Sequence, residues 1–138
     1  MAKDSIINPD IHQNFYPPGS LLIELKHLNG LNIKEQTVIA EIKTTSMELI
    51  ETFEYAFDNR DKIDRHLDSD CTKDHEEISV YIYIKNLSDG EKFLIGNYNA
   101  NLSNEQEEKE EGDDSYKEKV NEEISYEEIK FQLRIVYV

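Results

Sequence analysis

Ile129-Lys130-Phe131-Gln132-Leu133-Arg134-Ile135-Val136-Tyr137-Val138 closes the chain on a regular alternation. Ile129, Phe131, Leu133, Ile135 and Tyr137 form one apolar side, and Lys130, Gln132 and Arg134 form the other. That is the period-two signature of a half-buried strand. Such a strand needs partners to cover its edges and an apolar layer to fill its face. The stretch therefore predicts a sheet packed on a core.

Working outward, four earlier stretches read as strands, three of them with the same pattern. Residues 21–28 place Leu21, Ile23, Leu25 and His27 on one face, and Asn29-Gly30 behind them is a turn signal because both tolerate positive φ. Residues 36–43 put Val38, Ala40 and Ile42 on one side and Thr37, Ile39 and Glu41 on the other, with Ile39 making the centre apolar on both faces. Residues 78–85 turn Ile78, Val80, Ile82 and Ile84 inward and Ser79, Tyr81 and Tyr83 outward. After the turn Ser88-Asp89-Gly90, residues 93–102 read as a strand whose Gly96 marks a bulge or a close backbone approach.

Residues 46–57 carry two patterns. Met47, Ile50, Phe53 and Phe57 lie at helical spacing behind Ser46, a suitable cap, while Leu49, Phe53, Tyr55 and Phe57 alternate as in a strand. Residues 1–18 are polar and end in Pro17-Pro18, so they read as an arm that Phe15 and Tyr16 tuck against the body. Residues 58–77 hold eight acidic and four basic side chains and read as a solvated connection, with a helical turn or two around Lys62 to Leu67. Residues 104–128 hold twelve acidic residues against three lysines and read as a disordered or frayed insertion. The expected fold is all-β: an antiparallel sandwich over residues 19–138, with acidic loop insertions at 58–77 and 104–128 and little helix.

The 138 residues suffice for one domain with a real core. The N-terminus lacks the apolar segment of a secretory signal, and no apolar run reaches the roughly 20 residues of a membrane span. Cys71 is the only cysteine, so no internal disulfide forms and a reducing, cytoplasmic location is the expectation. The net charge of −15 argues against nucleic acid and anionic membranes as partners and leaves a protein, basic in charge, as the natural one.

In order along the chain, four pieces resemble a C2 domain. Gly19 to Leu25 with Leu28-Asn29-Gly30-Leu31 resembles its opening strand and first loop. Ile50 to Phe57 resembles its N-E-x-F-x-F strand. Ile78 to Lys85 followed by Asp89 to Gly96 resembles its strand, loop and D-x-x-I-G element. Glu128 to Tyr137 resembles its closing strand. The resemblance implies an eight-stranded antiparallel sandwich with functional loops at one end, and it favours strand at Ile50–Phe57. Such domains sit in multidomain proteins, which implies a longer parent chain.

Calcium-binding members of that family hold the ion with aspartates from the first and third loops, consistent with the hard oxygen ligands calcium requires. Here the first loop offers Asn29, Asn32 and Glu35. The third offers Asp89 and Glu91, with Lys85 where an acid is expected. That departure predicts no metal site and no cofactor. The family's lysine-rich lipid groove is not evident either, since Lys26, Lys43, Lys85 and Lys92 are scattered among acids.

Other chemistry is sparse. Asp70, Cys71, Asp74 and His75 form a compact group, but zinc wants a tetrahedral nitrogen and sulfur set and no second cysteine exists. Cys71 with His75 could pair as nucleophile and base, yet nearby acids raise a thiol pKa. No phosphate-binding loop or H-E-x-x-H motif occurs. No catalytic residue is expected. Tyr81 and Tyr83 are candidate contact residues, because tyrosine is enriched at interfaces; coverage by the second sheet or the arm is the competing account. The expected function is a calcium-independent, C2-like targeting or scaffolding domain contacting a protein through Tyr81, Tyr83, Asn32 and Lys85. The alternatives are a small acidic inhibitor that mimics nucleic acid, and calcium or phospholipid binding through Asp89 and Glu91.

Overall fold

The closing strand lies in the middle of a sheet. A computed structural model describes residues 16–103 and 117–138. Its strands are β1 (Leu21–Asn29), β2 (Gln36–Thr44), β3 (Leu49–Tyr55), β4 (Lys62–Leu67), β5 (Glu77–Asn86), β6 (Lys92–Asn101), β7 (Lys117–Tyr126) and β8 (Ile129–Tyr137). One short helix, α1 (Ser69–Thr72), precedes β5. They form two antiparallel four-stranded sheets, ordered β4-β1-β8-β7 and β3-β2-β5-β6. The protein is an all-β sandwich.

β8 pairs β1 on one side, with Ile135 opposite Ile23, and β7 on the other, with Phe131 opposite Ile124. Its inward Phe131, Leu133 and Ile135 are fully buried. Val136 points outward yet is also buried, packed with Leu22 under Tyr16 and Val138. Tyr16 thus tucks against the body as expected; Phe15 lies outside the described residues. Paired bonds from Gly19 N–H to the Val138 carbonyl and from Val138 N–H to the Ser20 carbonyl, both 2.9 Å, hold the two chain segments together.

The two sheets meet across one apolar cluster that includes Leu25, Val38, Ile42, Ile82, Phe131 and Leu133. Tyr55 crosses it: its hydroxyl donates to the Ile23 carbonyl of the opposite sheet at 3.0 Å. Burial pushes this phenol far above its usual range, so it stays a neutral donor.

The open question at residues 46–57 resolves as strand β3. The turn before it is built by the Thr44 hydroxyl, which accepts N–H bonds from Ser46 (3.2 Å) and Glu48 (3.1 Å), with Met47 at φ 72°. Ser46 therefore does not cap a helix. Pairing with β2 and burial of Tyr55 favour the extended form.

Two solvated-loop readings are corrected. Residues 62–67 form β4, an edge strand on β1, rather than a connection with helical turns. Ile63 and Leu67 are buried, and between them Arg65 sets its guanidinium 5.4 Å from the Tyr55 ring centre and donates to the Glu54 carbonyl at 3.1 Å. The stem of an arginine substitutes for an apolar residue in the alternation, which hides the strand from a hydropathy reading. Likewise residues 117–126 are β7, with Val120 and Ile124 buried and Glu122 between them. The remainder of that acidic segment, residues 104–116, lies outside the described residues, as do residues 1–15.

Candidate functional site

The outer face of the β3-β2-β5-β6 sheet carries the polar and aromatic residues singled out above. β5 alternates cleanly. Ile78, Val80, Ile82 and Ile84 are buried against the other sheet, so Tyr81, Tyr83 and Lys85 face away. Register places Tyr83 beside Ile39, Tyr81 beside Glu41 and Lys85 beside Thr37 on β2. On the other side Tyr83 adjoins Leu94 and Lys85 adjoins Lys92 on β6.

A charged lattice holds the tyrosines. Lys92 Nζ lies 2.7 Å from Glu41 Oε2 and 4.6 Å from the Tyr83 ring centre. Lys43 Nζ lies 3.6 Å from Glu41 Oε1 and 5.0 Å from the Tyr81 ring centre. The Tyr81 hydroxyl approaches Met47 Sδ at 3.3 Å. The Lys92 hydrogen bond, reinforced by the Lys92 and Lys43 charges, holds the Glu41 carboxyl below its ordinary value. Burial first, then Glu41, raises the Tyr83 phenol above its own.

This corrects the expectation that the second sheet covers Tyr81 and Tyr83 and the reading of the lysines as scattered; coverage by residues 1–15 of the arm lies outside the described residues. The second sheet packs on the opposite side of β5, and Tyr16 packs across the sandwich against Leu22, Val136 and the His66 ring, 4.5 Å away. The tyrosines are half-buried by Lys43, Lys92, Glu41 and Met47 instead. Three of the lysines that look scattered in sequence, Lys43, Lys85 and Lys92, share this one face because their strands are neighbours.

A pH test follows from Glu41. Its carboxyl in the folded state titrates below the ordinary 4.5. Its contribution is therefore fully present above that value and is lost as pH falls through the lower folded value. Melting curves should show Glu41→Gln less stable than wild type at neutral pH, with the gap closing in acid. A gap that does not change with pH would rule out the ionised pair as its cause.

The first and third loops meet at one end of the sandwich. Leu87 N–H donates to the Glu35 carbonyl at 2.9 Å, and Gln36 Nε2 donates to Asn86 Oδ1 at 3.1 Å. Asn32 serves its own loop: Nδ2 donates to Glu35 at 3.3 Å, and Oδ1 accepts the Lys34 N–H at 3.3 Å. Asp89 Oδ1 accepts the Glu91 N–H at 3.0 Å, a turn-forming bond. Among the described residues no three His, Cys, Asp or Glu side chains are placed to hold a metal ion.

Beside these loops lies an open pocket of about 440 Å³ lined by His27, Leu31, Ile33, Phe57 and residues 58–61. His27 Nε2 accepts the Leu31 N–H at 3.0 Å, which places the ring proton on Nδ1 in this arrangement. Cys71 packs on the edge of the core, and burial followed by Asp68, Glu51 and Asp70 pushes its thiol above the usual value. That is the opposite of what a nucleophilic thiolate requires.

The residues that sequence reasoning missed are Glu41, Lys43, Met47, Lys92 and Leu94. Each alternates outward on its own strand or lies in an adjoining turn, but only the pairing of β2, β5 and β6 brings them together. No protein-family model matches the chain, and no curated protein matches it significantly. The class defined by the structure is an antiparallel β-sandwich, with eight strands among the described residues and one tyrosine- and lysine-bearing face open to solvent among them.

Proposed function

We propose that the chain is a non-catalytic, calcium-independent C2-like interaction module that binds a protein partner in the cytoplasm. The observation that carries this reading is the outer face of the β3-β2-β5-β6 sheet. It combines two half-buried tyrosines with exposed Met47, Leu49 and Leu94. Tyrosines already ordered by neighbours lose little side-chain freedom on binding, which suits them as contact anchors. Among the described residues, eight antiparallel strands in two sheets of four support that reading. The third loop, where Asp89 already serves a backbone N–H, gives calcium little to bind.

The test is Tyr81→Ser with Tyr83→Ser. Affinity capture followed by mass spectrometry identifies proteins retained by wild type, and titration with the purified partner then compares the two proteins. The double variant should keep the wild-type circular dichroism and lose at least about tenfold in affinity. Unchanged affinity would exclude this face. The acidic-inhibitor reading is distinguished in the same titration, since a basic partner held by charge dissociates steeply with added salt.

A further inference from the structure

Each sheet of an open sandwich has two edges, and an unprotected edge is a template for another strand. Three of the four edges here are blunted by charge. β4 carries Lys62, Asp64 and Arg65. β3 carries Glu51 and Glu54, and Arg65 takes the Glu54 carbonyl. β7 carries Glu118, Glu122 and Glu123. β6 differs: from Phe93 to Asn101 it has neither a charge nor a proline, in a chain with 33% charged residues.

The backbone of β6 is also correctly oriented. Leu102 N–H bonds to the Glu76 carbonyl at 2.7 Å, and Asn86 N–H bonds to the Glu91 carbonyl at 2.9 Å. Antiparallel ladders alternate bonded and non-bonded pairs. From either end, Ala100, Tyr98 and Gly96 are the residues bonded to β5, so Asn97, Asn99 and Asn101 direct their N–H and C=O away from it. A register shift interrupts the strand near Ile95, but Gly96 to Asn101 pairs regularly. Among the described residues no strand lies on that side.

We propose that the Gly96–Asn101 edge of β6 accepts an extended segment of a partner protein, apolar and basic in alternation, as a fifth strand of its sheet. Main-chain bonds at Asn97, Asn99 and Asn101 supply the attachment. The charge preference comes from the net charge of −15 and from Glu122, which stands opposite Leu133 on the inward side of β7, the strand that β6 contacts across the sandwich. Burial first, then the Glu122 charge, raises the Tyr98 phenol above its usual value. Inward side chains of an added strand meet Tyr98 and Glu122, which favours lysine or arginine there. A second copy of this chain is disfavoured, since its β6 brings no cation beyond Lys92 and each copy carries −15. The proposal rests on the interaction reading above and adds the mode of binding and the chemistry of the bound segment.

The test uses the full chain and a synthetic peptide of alternating valine and lysine, matched to the 10 residues of β6, with a valine–glutamate peptide as control. Amide exchange measured by NMR should slow by about tenfold or more at Asn97 and Asn99 with the first peptide only. Asn99→Pro removes an outward N–H without touching the β5 ladder and should abolish the protection. Asn99→Ala keeps that N–H and should retain it. Glu122→Lys, an exposed change that does not depend on proline being tolerated, should weaken the valine–lysine peptide and admit the valine–glutamate one. Unchanged exchange at Asn97 and Asn99, or equal protection by both peptides, overturns the proposal. So does a concentration-dependent dimer that Asn99→Pro dissolves. If the tyrosine variants lose a partner while these amides stay unprotected, strand addition falls and the interaction reading stands.

Discussion

Gly30→Ala should cost about 3 kcal/mol and lower the melting temperature by on the order of 10 °C. Gly30 follows β1 at φ 89°, a region where side chains are strained. The added methyl would also collide with the Glu128 carbonyl oxygen and stand 2.8 Å from the Ile129 Cα. Both are backbone atoms of the turn that launches β8, so no side chain can swing aside. Either β1 and the β7–β8 turn separate, or the first pairs of β8 are lost. Gly90→Ala is the control. Its φ of 76° is equally strained, but a methyl there meets nothing within 4 Å, so its cost should be limited to about 1–2 kcal/mol. Equal losses in thermal melts of the two variants would show that close approach at Gly30 is not what matters.

Phe131→Ala should be as damaging, at about 3–5 kcal/mol in denaturant titrations. Phe131 is fully buried, with its ring centre 5.8 Å from that of Phe57 and 5.6 Å from that of His27. Truncation removes a whole ring from between the two sheets, and β8, held on both sides by β1 and β7, cannot slide to refill the space. The exposed neighbour Lys130→Ala should change stability by no more than about 0.5 kcal/mol. A comparable loss at Lys130 would contradict the assignment of inner and outer faces.

Much of the sandwich was readable before any coordinates. Period-two alternation of isoleucine, leucine, valine and phenylalanine marks β1, β2, β5 and β8 directly, because a half-buried strand must alternate, and β6 reads as a strand interrupted by Gly96. The edge strands were harder to read. β4 hides behind Arg65, whose aliphatic stem and guanidinium cover Tyr55, and β7 hides behind Glu122 at a position that alternation reserves for an apolar residue. An edge strand fills only part of its inner side, so charges are tolerated there and the hydropathy signal fades. β3 was ambiguous because Phe53 and Phe57 fit both periods, with Met47 and Ile50 completing the helical one and Leu49 and Tyr55 the extended one.

The candidate site was half legible. Tyr81, Tyr83 and Lys85 declared themselves by outward alternation on β5. Asn32 did too, as a loop residue, but its side chain proves to be engaged in shaping that loop. By itself, the sequence determined which residues of β1, β2, β5 and β8 face the core, since alternation along a chain is a local property. Only the tertiary structure decided which outward residues stand together: Glu41, Lys43, Tyr81, Tyr83 and Lys92 come from three strands, and strand order and register are set by long-range pairing. The same pairing left Phe93–Asn101 of β6 as an uncharged edge and the closing strand Ile129–Tyr137 in the middle of its sheet, between β1 and β7.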